Sequence, residues 1–349
     1  MTVDFTLSCP VHVGRHTTVQ LAHGGGGRLT RELVEQVFVA AFGAAPLEHQ
    51  HDSAVVSLGG ARLAMTTDSY VVHPRFFPGG DIGTLAVYGT VNDLAMVGAR
   101  PAFLSAGFIL EEGVAMDEVR RVAASMRAAA DLCGVALVTG DTKVVDKGKG
   151  DGIFINTTGV GLVDHALAIH PTAVRPGDAV LVSGDVGRHG VAVLSVREGL
   201  AFESPVESDC APLAAPVHAL LDAGLSLHCL RDATRGGLAT VLNEVALDGG
   251  VSITVDELAI PVSEGVAGAC ELLGLDPLYV ACEGRMVVFL PEADAERALG
   301  ILRNHPASAN AARIGTVTEG PAGMVSLRTR LGGSRLLDLL SGEQLPRIC

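Results

Sequence analysis

The sequence contains no tryptophan, and only 4% of its residues are aromatic. It has no C-x-x-C motif, its histidines lack the spacing of metal ligands, and no apolar run reaches about 18 residues. We therefore expect neither a cysteine-rich zinc site nor a membrane-spanning helix. Because nearly half of the residues are nevertheless apolar, the core must be built from Ala, Val and Leu.

Basic residues are also scarce, since 25 Lys and Arg against 39 Asp and Glu give a net charge of −14. This charge argues against nucleic acid and against an anionic membrane as partners. A nucleotide is still possible, because glycine loops, a lysine and Mg²⁺ can bind phosphates locally. The N-terminal residues show no secretion signal, and the seven scattered cysteines predict reduced thiols in the cytoplasm.

The chain of 349 residues is long enough for about two domains. Glycine-rich turns between apolar strands and helices predict an α/β or α+β fold with mixed sheets. A shift in composition near residue 166 predicts a boundary between an N-terminal domain, residues 1–165, and a C-terminal α/β domain, residues 166–340. The last segment, residues 341–349, has little periodicity, and we expect a mobile tail.

Two local elements are specific enough to predict in detail. Apolar runs on either side of Gly59 and Gly60 predict a β-hairpin. Asp81 is predicted to cap a helix that ends near Gly98.

Four glycines at positions 24–27 precede a predicted helix whose apolar residues share one face. Backbone N–H groups at this helix start, those of Gly25 and Gly26 included, could hold a phosphate. The stretch lacks the Gly-Lys-Ser/Thr of a Walker A loop, and no clear strand precedes it as in a Rossmann fingerprint. Taken alone, it favours a flexible loop.

Carboxylates recur at the ends of predicted strands. Asp52, Asp68 and Asp232 each fit a cap or a turn when considered singly. Asn92 and Asp93 are different, because they interrupt an otherwise apolar helix. A buried carboxylate requires a cation or several hydrogen-bond donors, and oxygen ligands that also meet phosphates are typical of Mg²⁺-nucleotide sites.

Two further places carry candidate chemistry. The loop after a predicted strand contains Gly140, Asp141, Thr142 and Lys143, and its lysine could reach a phosphate or a developing anion. Its alternative is an ordinary solvated loop. Glu283 lies between two apolar segments and is either a base or a capping acid.

Three segments, "FFPGGDIG", "DATRGGLATVLNE" and the terminal "PRIC", resemble the HypE family, the carbamoyl dehydratases of nickel–iron hydrogenase maturation. The resemblance spans almost the whole chain. The order of "TTDS", "NDLAM" and "DATRGG" is also similar to the wider superfamily of aminoimidazole ribonucleotide synthetase and selenophosphate synthetase. It implies a two-domain fold of that superfamily, in which the N-terminal domains of two subunits pair into a β-barrel associated with the nucleotide cleft.

The resemblance also implies ATP and Mg²⁺ and assigns roles to residues. The implied metal ligands are Asp52, Asp68, Asp93 and Asp232. The implied nucleotide-binding residues are Gly25, Gly26, Asp68, Asn92, Gly140, Asp141 and Thr142. The catalytic candidates are Cys349 as the acceptor thiol, Lys143, and Glu283 as the base. The sequence departs from the family at His51, where a second acidic residue is common, and in the glycine loop, where a serine is frequent.

The implied reaction dehydrates an S-carbamoyl group on Cys349 to S-cyanide, which supplies the cyanide ligands of the hydrogenase iron centre. The implied partners are a second copy of the chain, a HypF-like carbamoyl donor and a HypC–HypD-like complex that carries iron. A mobile tail suits this role, because the thiol must visit each of them. Arg347 is expected to lower the thiol pKa or to steer the tip toward phosphates.

Two alternatives stay open. One is another ATP-dependent phosphotransferase of the same superfamily, which needs a different nucleophile such as Cys9. The other is a non-catalytic thiol carrier that nucleotide regulates.

Overall fold

The computed structural model describes residues 16–43, 51–200, 205–340, 345 and 347–349. These residues form a five-stranded sheet followed in the chain by a seven-stranded sheet. The predicted boundary near residue 166 falls in the stretch between them.

The first sheet and its helices make up the N-terminal part. Its strands are β1 (Ala54–Leu58), β2 (Ala61–Tyr70), β5 (Arg100–Glu111), β6 (Ala136–Val145) and β7 (Ile153–Leu162), and a small ribbon is formed by β3 (Phe76–Phe77) and β4 (Gly80–Asp81). The helices are α1 (Arg28–Leu33), a π-helical turn (Val34–Val39), α2 (Ala40–Phe42), α3 (Ile82–Met96) and α4 (Met116–Cys133).

The second sheet and its helices follow. The strands are β8 (Asp178–Val182), β9 (Cys229–Asp232), β10 (Ser252–Asp256), β11 (Met286–Pro291), β12 (Ala312–Thr318), β13 (Met324–Arg328) and β14 (Ser334–Leu336). The helices are α5 (Arg188–Arg197), α6 (Ala214–Asp222), α7 (Gly237–Asp248), α8 (Glu264–Leu273) and α9 (Ala295–Leu302).

The first sheet has the order β1-β2-β7-β5-β6, and only its β5–β6 pair is parallel. The predicted hairpin is confirmed: β1 pairs with β2 through a turn at Gly59 and Gly60. Both glycines have positive φ, 58° and 88°, which residues with a Cβ adopt reluctantly.

One face of the first sheet packs on α3 and α4, whereas the other face exposes apolar side chains. The exposed residues of this other face include Val56, Leu58, Met65, Phe103, Ile109 and Leu162, and Val138 is exposed at the register shift of β6. An exposed apolar surface of this kind usually marks an interface.

The second sheet has the order β14-β13-β10-β12-β8-β11-β9 and is covered on both faces. Alternate residues of β8 point to opposite sides: Val180 and Val182 belong to the cluster around α7, and Ala179 and Leu181 to the cluster with α6 and α9. The mixed pairing and the aliphatic core agree with the predicted α/β class.

Helix α3 joins the two parts of the fold. It is apolar on all sides, and twelve of its 15 residues are buried, because it contacts β2 and β7 on one side and α6 and β9 on the other. The Asp81 carboxylate accepts hydrogen bonds from the Gly83 and Thr84 N–H groups, which confirms the predicted cap. In the described part of the chain, no helix is both long and apolar enough to cross a membrane.

The cap of α3 gives a stability prediction. Replacing Asp81→Ala removes the acceptor for two backbone N–H groups and for the Ser125 hydroxyl. We expect the free energy of unfolding to fall by about 1–2 kcal/mol in urea titration.

Asp117→Ala is the control, since this exposed first-turn carboxylate of α4 makes only a surface pair with Arg120. Equal losses in the two variants would contradict a special role for the cap.

Candidate functional site

A cavity of about 440 Å³ lies where the two parts of the fold meet. The start of β1, the end of β2 and helix α3 form one wall, and the end of β9, helix α7 and Glu283 form the other. The lining residues include Gly26, Asp52, Thr66, Asp68, Tyr70, Asp93, Arg231, Asp232, Arg235, Glu283 and Cys349. The name cleft is used below for this cavity.

Three carboxylates converge in the cleft. Asp52, Asp93 and Asp232 each offer an oxygen, and these oxygens lie within 4.8 Å of one another. The Thr66 hydroxyl donates to Asp93 Oδ2 at 2.8 Å, and Arg231 Nε lies 2.8 Å from Asp52 Oδ1. Residues far apart in sequence therefore meet because β1, α3 and β9 end at one place.

These three carboxylates fit a divalent cation. Burial and the neighbouring carboxylates raise the pKa of Asp93 and Asp232 well above the ordinary value, and burial raises that of Asp52 to about 6. The Asp52 Oδ2 atom is buried and has no hydrogen-bond partner among the described residues. Hard oxygen donors with this geometry suit Mg²⁺, which would neutralise the excess negative charge of the three carboxylates.

Asp68 lines the cleft beside this trio without joining it. Tyr70, at the end of the same strand, donates its hydroxyl to Asp68 Oδ2 at 3.2 Å. Its predicted metal and nucleotide roles therefore stay predictions.

Cys349 also lies in the cleft. Ile348 next to it is only 4% exposed, so the tip of the tail is docked in this structure. The structure thus gives one position of the tip, docked in the cleft, and the mobility expected for residues 341–349 stays a prediction.

The thiol in the cleft is held neutral. Burial raises the pKa of Cys349 to about 12, with Glu283, Asp68 and Asp232 adding to the rise and Arg235 opposing it. Arg347 pairs with Asp151, and the cation that lowers the thiol pKa is Arg235, so the expectation that Arg347 lowers this pKa was wrong. Its expected role in steering the tip toward phosphates stays a prediction.

Glu283 is a buried acid that lines the cleft together with the Cys349 thiol. It is 4% exposed, and burial followed by Asp232, Asp209 and Asp68 raises its pKa well above normal. Its backbone N–H donates to Asp209 Oδ1 at 3.1 Å, while Oε1 has no hydrogen-bond partner among the described residues. A carboxyl group with a raised pKa and a free oxygen is suited to proton transfer.

The glycine loop borders the cleft. Gly26 lines it, and its N–H donates to the Thr30 hydroxyl at 2.9 Å. Gly25 lines a smaller adjoining cavity that also reaches Cys349. At φ 78°, a Cβ on Gly26 would lie 2.8 Å from the Arg235 Cβ, so close packing on Arg235 requires glycine here.

Asn92 does not line the cleft. Its amide nitrogen donates to the carbonyls of Ala211 and Glu283, and its oxygen accepts the Leu213 N–H at 2.7 Å. The side chain thus joins α3 to the second part of the fold, and this use of its polar atoms disfavours the predicted nucleotide contact.

The segment Gly140, Asp141, Thr142 and Lys143 also lies away from the cleft of its own chain. It forms part of β6, the exposed edge strand of the first sheet. Lys143 Nζ pairs with the Asp141 carboxylate at 2.6 Å, and both side chains are solvent-exposed. Its predicted role requires a second copy of the chain and stays a prediction.

Sequence reasoning missed several residues of the cleft. Arg231 and Arg235 flank Asp232 in "RDATRGG", and their placement around a candidate ligand was the available signal. Arg231 also pairs with Glu244 at 2.7 Å, and Arg235 Nη1 donates to the Gly24 carbonyl at 3.0 Å. The alternative nucleophile Cys9 lies outside the described residues.

Comparisons with known proteins show which proteins this chain resembles. Residues 50–163 match the family model "AIR synthase related protein, N-terminal domain", and residues 175–328 match the corresponding C-terminal domain. Carbamoyl dehydratase HypE of Azotobacter vinelandii is 52% identical over 96% of this chain and 98% of that protein. The protein of the same name from Escherichia coli is 45% identical over 95% of this chain and 99% of that protein.

Two solved structures are similar to this chain over most of its length. The crystal structure of hydrogenase maturation protein HypE in complex with ATP has 51% identity and a TM-score of 0.81, over 95% of this chain and all of that one. The crystal structure of a HypE–HypF complex has 45% identity and a TM-score of 0.84, over 88% of this chain and 99% of that one.

The carboxylate trio predicts an unusual pH dependence. Because the folded pKa values lie above the ordinary ones, stability without a divalent cation is lost as pH rises from about 4 through these raised values, of which that of Asp52 is about 6. Asp93→Asn removes one of the repelling charges. We expect this variant to melt at or above the wild-type temperature at pH 7.5 without cation.

Mg²⁺ should raise the wild-type melting temperature by on the order of 5 °C and should raise that of Asp93→Asn much less. Asp222→Asn, an exposed carboxylate outside the cleft, is the control and should respond like wild type. An undiminished Mg²⁺ shift in Asp93→Asn would contradict the assignment.

Proposed function

The chain belongs to the HypE family of carbamoyl dehydratases, and on this premise we propose that it dehydrates an S-carbamoyl group on Cys349 to S-cyanide with ATP as cosubstrate. The observation that carries the proposal is that Cys349, the carboxylate trio and Glu283 line one cavity. The product supplies cyanide for the iron centre of a nickel–iron hydrogenase.

The carbamoyl oxygen is a poor leaving group until it is phosphorylated. In the proposed reaction it attacks the γ-phosphorus of ATP and ADP leaves. Both N–H protons are then lost, the C–O bond breaks, and phosphate leaves as C≡N forms. Carbamoyl thioester and ATP therefore give thiocyanate, ADP and phosphate, with no change of oxidation state in the protein.

Each described group of the cleft has a part in this scheme. Mg²⁺ held by Asp52, Asp93 and Asp232 would neutralise phosphate charge. Arg235 faces the sulfur and stabilises negative charge on the carbamoyl oxygen and the phosphate, where one well-placed cation can contribute several orders of magnitude in rate. Glu283 accepts one proton from nitrogen, and the leaving phosphate takes up the other.

The raised pKa of Cys349 suits a carrier that arrives already loaded. At a pKa of about 12 the docked thiol is a poor nucleophile, so we propose that it acquires its carbamoyl group outside the cleft. The donor would be a HypF-like protein, as the complex of a relative suggests. The acceptor would be an iron-carrying complex of the HypC–HypD type, and all these encounters would take place in the cytoplasm.

A second copy of the chain completes the proposal. The exposed apolar face of the first sheet is suited to pairing with its counterpart in a homodimer, which would remove both from water. We propose that this pairing places Gly140, Asp141, Thr142 and Lys143 of one copy at the nucleotide of the other.

Glu283→Gln tests the reaction. Carbamoylated wild-type protein should lose the mass of one water from the Cys349 peptide when ATP and Mg²⁺ are added. Without the carboxylate we expect this loss to slow by about 10²–10⁴-fold, because amide cannot accept the proton. The wild-type rate should rise with pH through the raised pKa of Glu283, and the variant should lack this rise.

Glu264→Gln, an exposed acid at the start of α8, should behave as wild type. If Glu283→Gln kept the wild-type rate and pH profile, another group would be the base.

Val138→Asp tests the homodimer. This side chain is 59% exposed on β6, and a charge there should prevent burial of the face. Light scattering after size exclusion should give twice the chain mass for wild type and the single mass for the variant. Leu331→Asp, at an exposed position of the second part, should stay dimeric. A monomeric wild type would refute the pairing.

A further inference from the structure

The last residues of the chain are bound through their backbone. The Val71 N–H donates to the Cys349 oxygen at 2.9 Å, and the His73 N–H donates to the Arg347 carbonyl at 3.2 Å. The tip therefore lies antiparallel to residues 71–73, in the manner of a peptide that adds to an exposed strand.

His189 holds the carbonyl between these two. Its Nε2 lies 2.7 Å from the Ile348 oxygen, and its Nδ1 lies 2.9 Å from the Ser208 hydroxyl. A carbonyl oxygen can only accept, so the imidazole proton is on Nε2, and Nδ1 of the neutral ring accepts from the Ser208 hydroxyl, whose oxygen also accepts the Cys210 N–H at 3.0 Å. His189 is fully buried, which lowers its pKa and keeps this neutral donor form.

Arg197 completes the contacts. Its Nη2 donates to the Arg347 carbonyl at 2.7 Å, so each of the last three residues has its backbone oxygen bound. The name terminal seat is used below for residues 71–73, His189 and Arg197.

Among the described residues of the tip, Ile348 has the most deeply buried apolar side chain. Ile348, at 4% exposure, belongs to the same hydrophobic cluster as Val193 and Ala281. Leu345 and Cys349 pack against the same cluster and are partly buried. Backbone recognition with a few apolar anchors is how a protein binds a separate short peptide. None of these contacts depends on the covalent link between the tip and residue 340.

We propose that the terminal seat is a binding site for a separate peptide ending in Arg-Ile-Cys, so that the cleft accepts its carbamoylated substrate in trans. The turnover part rests on the proposed function, whereas the binding part does not. In trans, the peptide carbamoyl thioester and ATP give the peptide thiocyanate, ADP and phosphate, the same balance as for the chain's own tail.

The competition with the chain's own tail sets the concentration scale. A covalently tethered peptide has an effective concentration on the order of 1 mM, which a free peptide must match. A substitution that undocks the chain's own tail should therefore admit the peptide. Ile348→Asp is such a change, because it would bury a carboxylate in an apolar cluster.

The experiment uses the full chain with Cys349→Ser, with and without Ile348→Asp, and the carbamoylated peptide Leu-Pro-Arg-Ile-Cys. Adding Ile348→Asp should raise the rate of peptide dehydration about tenfold at sub-millimolar peptide. The same change in the chain that keeps Cys349 should slow dehydration of its own carbamoyl group. A merely misfolded variant would lose both reactions.

His189→Ala in the Cys349→Ser/Ile348→Asp background should raise the peptide concentration for half-saturation about tenfold and leave that of ATP unchanged. His189→Gln, which keeps a donor, should restore part of the loss. Fluorescence anisotropy with the labelled, uncarbamoylated peptide measures binding to the terminal seat independently of the dehydration reaction.

Peptide binding that depends on His189 would support the binding proposal even if no turnover occurred. In that case the proposed dehydration reaction would be the part that is wrong. The absence of binding at millimolar peptide, in a preparation whose wild type dehydrates its own tail, would overturn the proposal.

Discussion

The structure depends on the placement of three carboxylates within 4.8 Å at the meeting point of two sheets. Like charges at this distance repel strongly in a low-dielectric interior, so the arrangement is stable only with protons or a cation. Folding therefore prepares a binding site for positive charge. Because the segment just before β1, helix α3 and strand β9 each supply one carboxylate, the same cation would also link the two parts of the fold.

The second constraint is that a buried thiol stays protonated. Burial and the acids around Cys349 keep it neutral, so the cleft is suited to changing a group already on sulfur and unsuited to loading one. Loading and delivery must then occur with the tip outside. Backbone contacts to a short terminal segment are appropriate for this cycle, since they give a defined docked position without a large buried area that would prevent release.

Much of this arrangement could be predicted from sequence, where a local rule applied. Asp81 could be identified as a cap and Gly59–Gly60 as a turn because both functions depend on near neighbours. Because Asp93 interrupts an otherwise apolar helix, the sequence indicates a buried carboxylate that needs a cation or hydrogen-bond donors as partner. By contrast, the predicted role of Lys143 at a phosphate rests on its local loop pattern and on resemblance, and its position on an edge strand depends on sheet order.

The docking of the tip had no sequence signal. Its contacts are made by backbone atoms of residues 71–73 and by His189, a histidine that composition cannot distinguish from any other. Likewise, Asn92 attracted attention as a polar residue on an apolar helix, but it joins two parts of the fold. A buried polar residue predicts a partner without saying whether that partner is ligand or protein.

The central claim is that the carbamoyl oxygen on Cys349 is phosphorylated by ATP inside the cleft. The most direct test is to label this oxygen with ¹⁸O, start a single turnover with ATP and Mg²⁺, and analyse the inorganic phosphate by mass spectrometry. The account predicts that the label is found in phosphate, one ¹⁸O for each thiocyanate formed. Label released into water, with unlabelled phosphate, would contradict it.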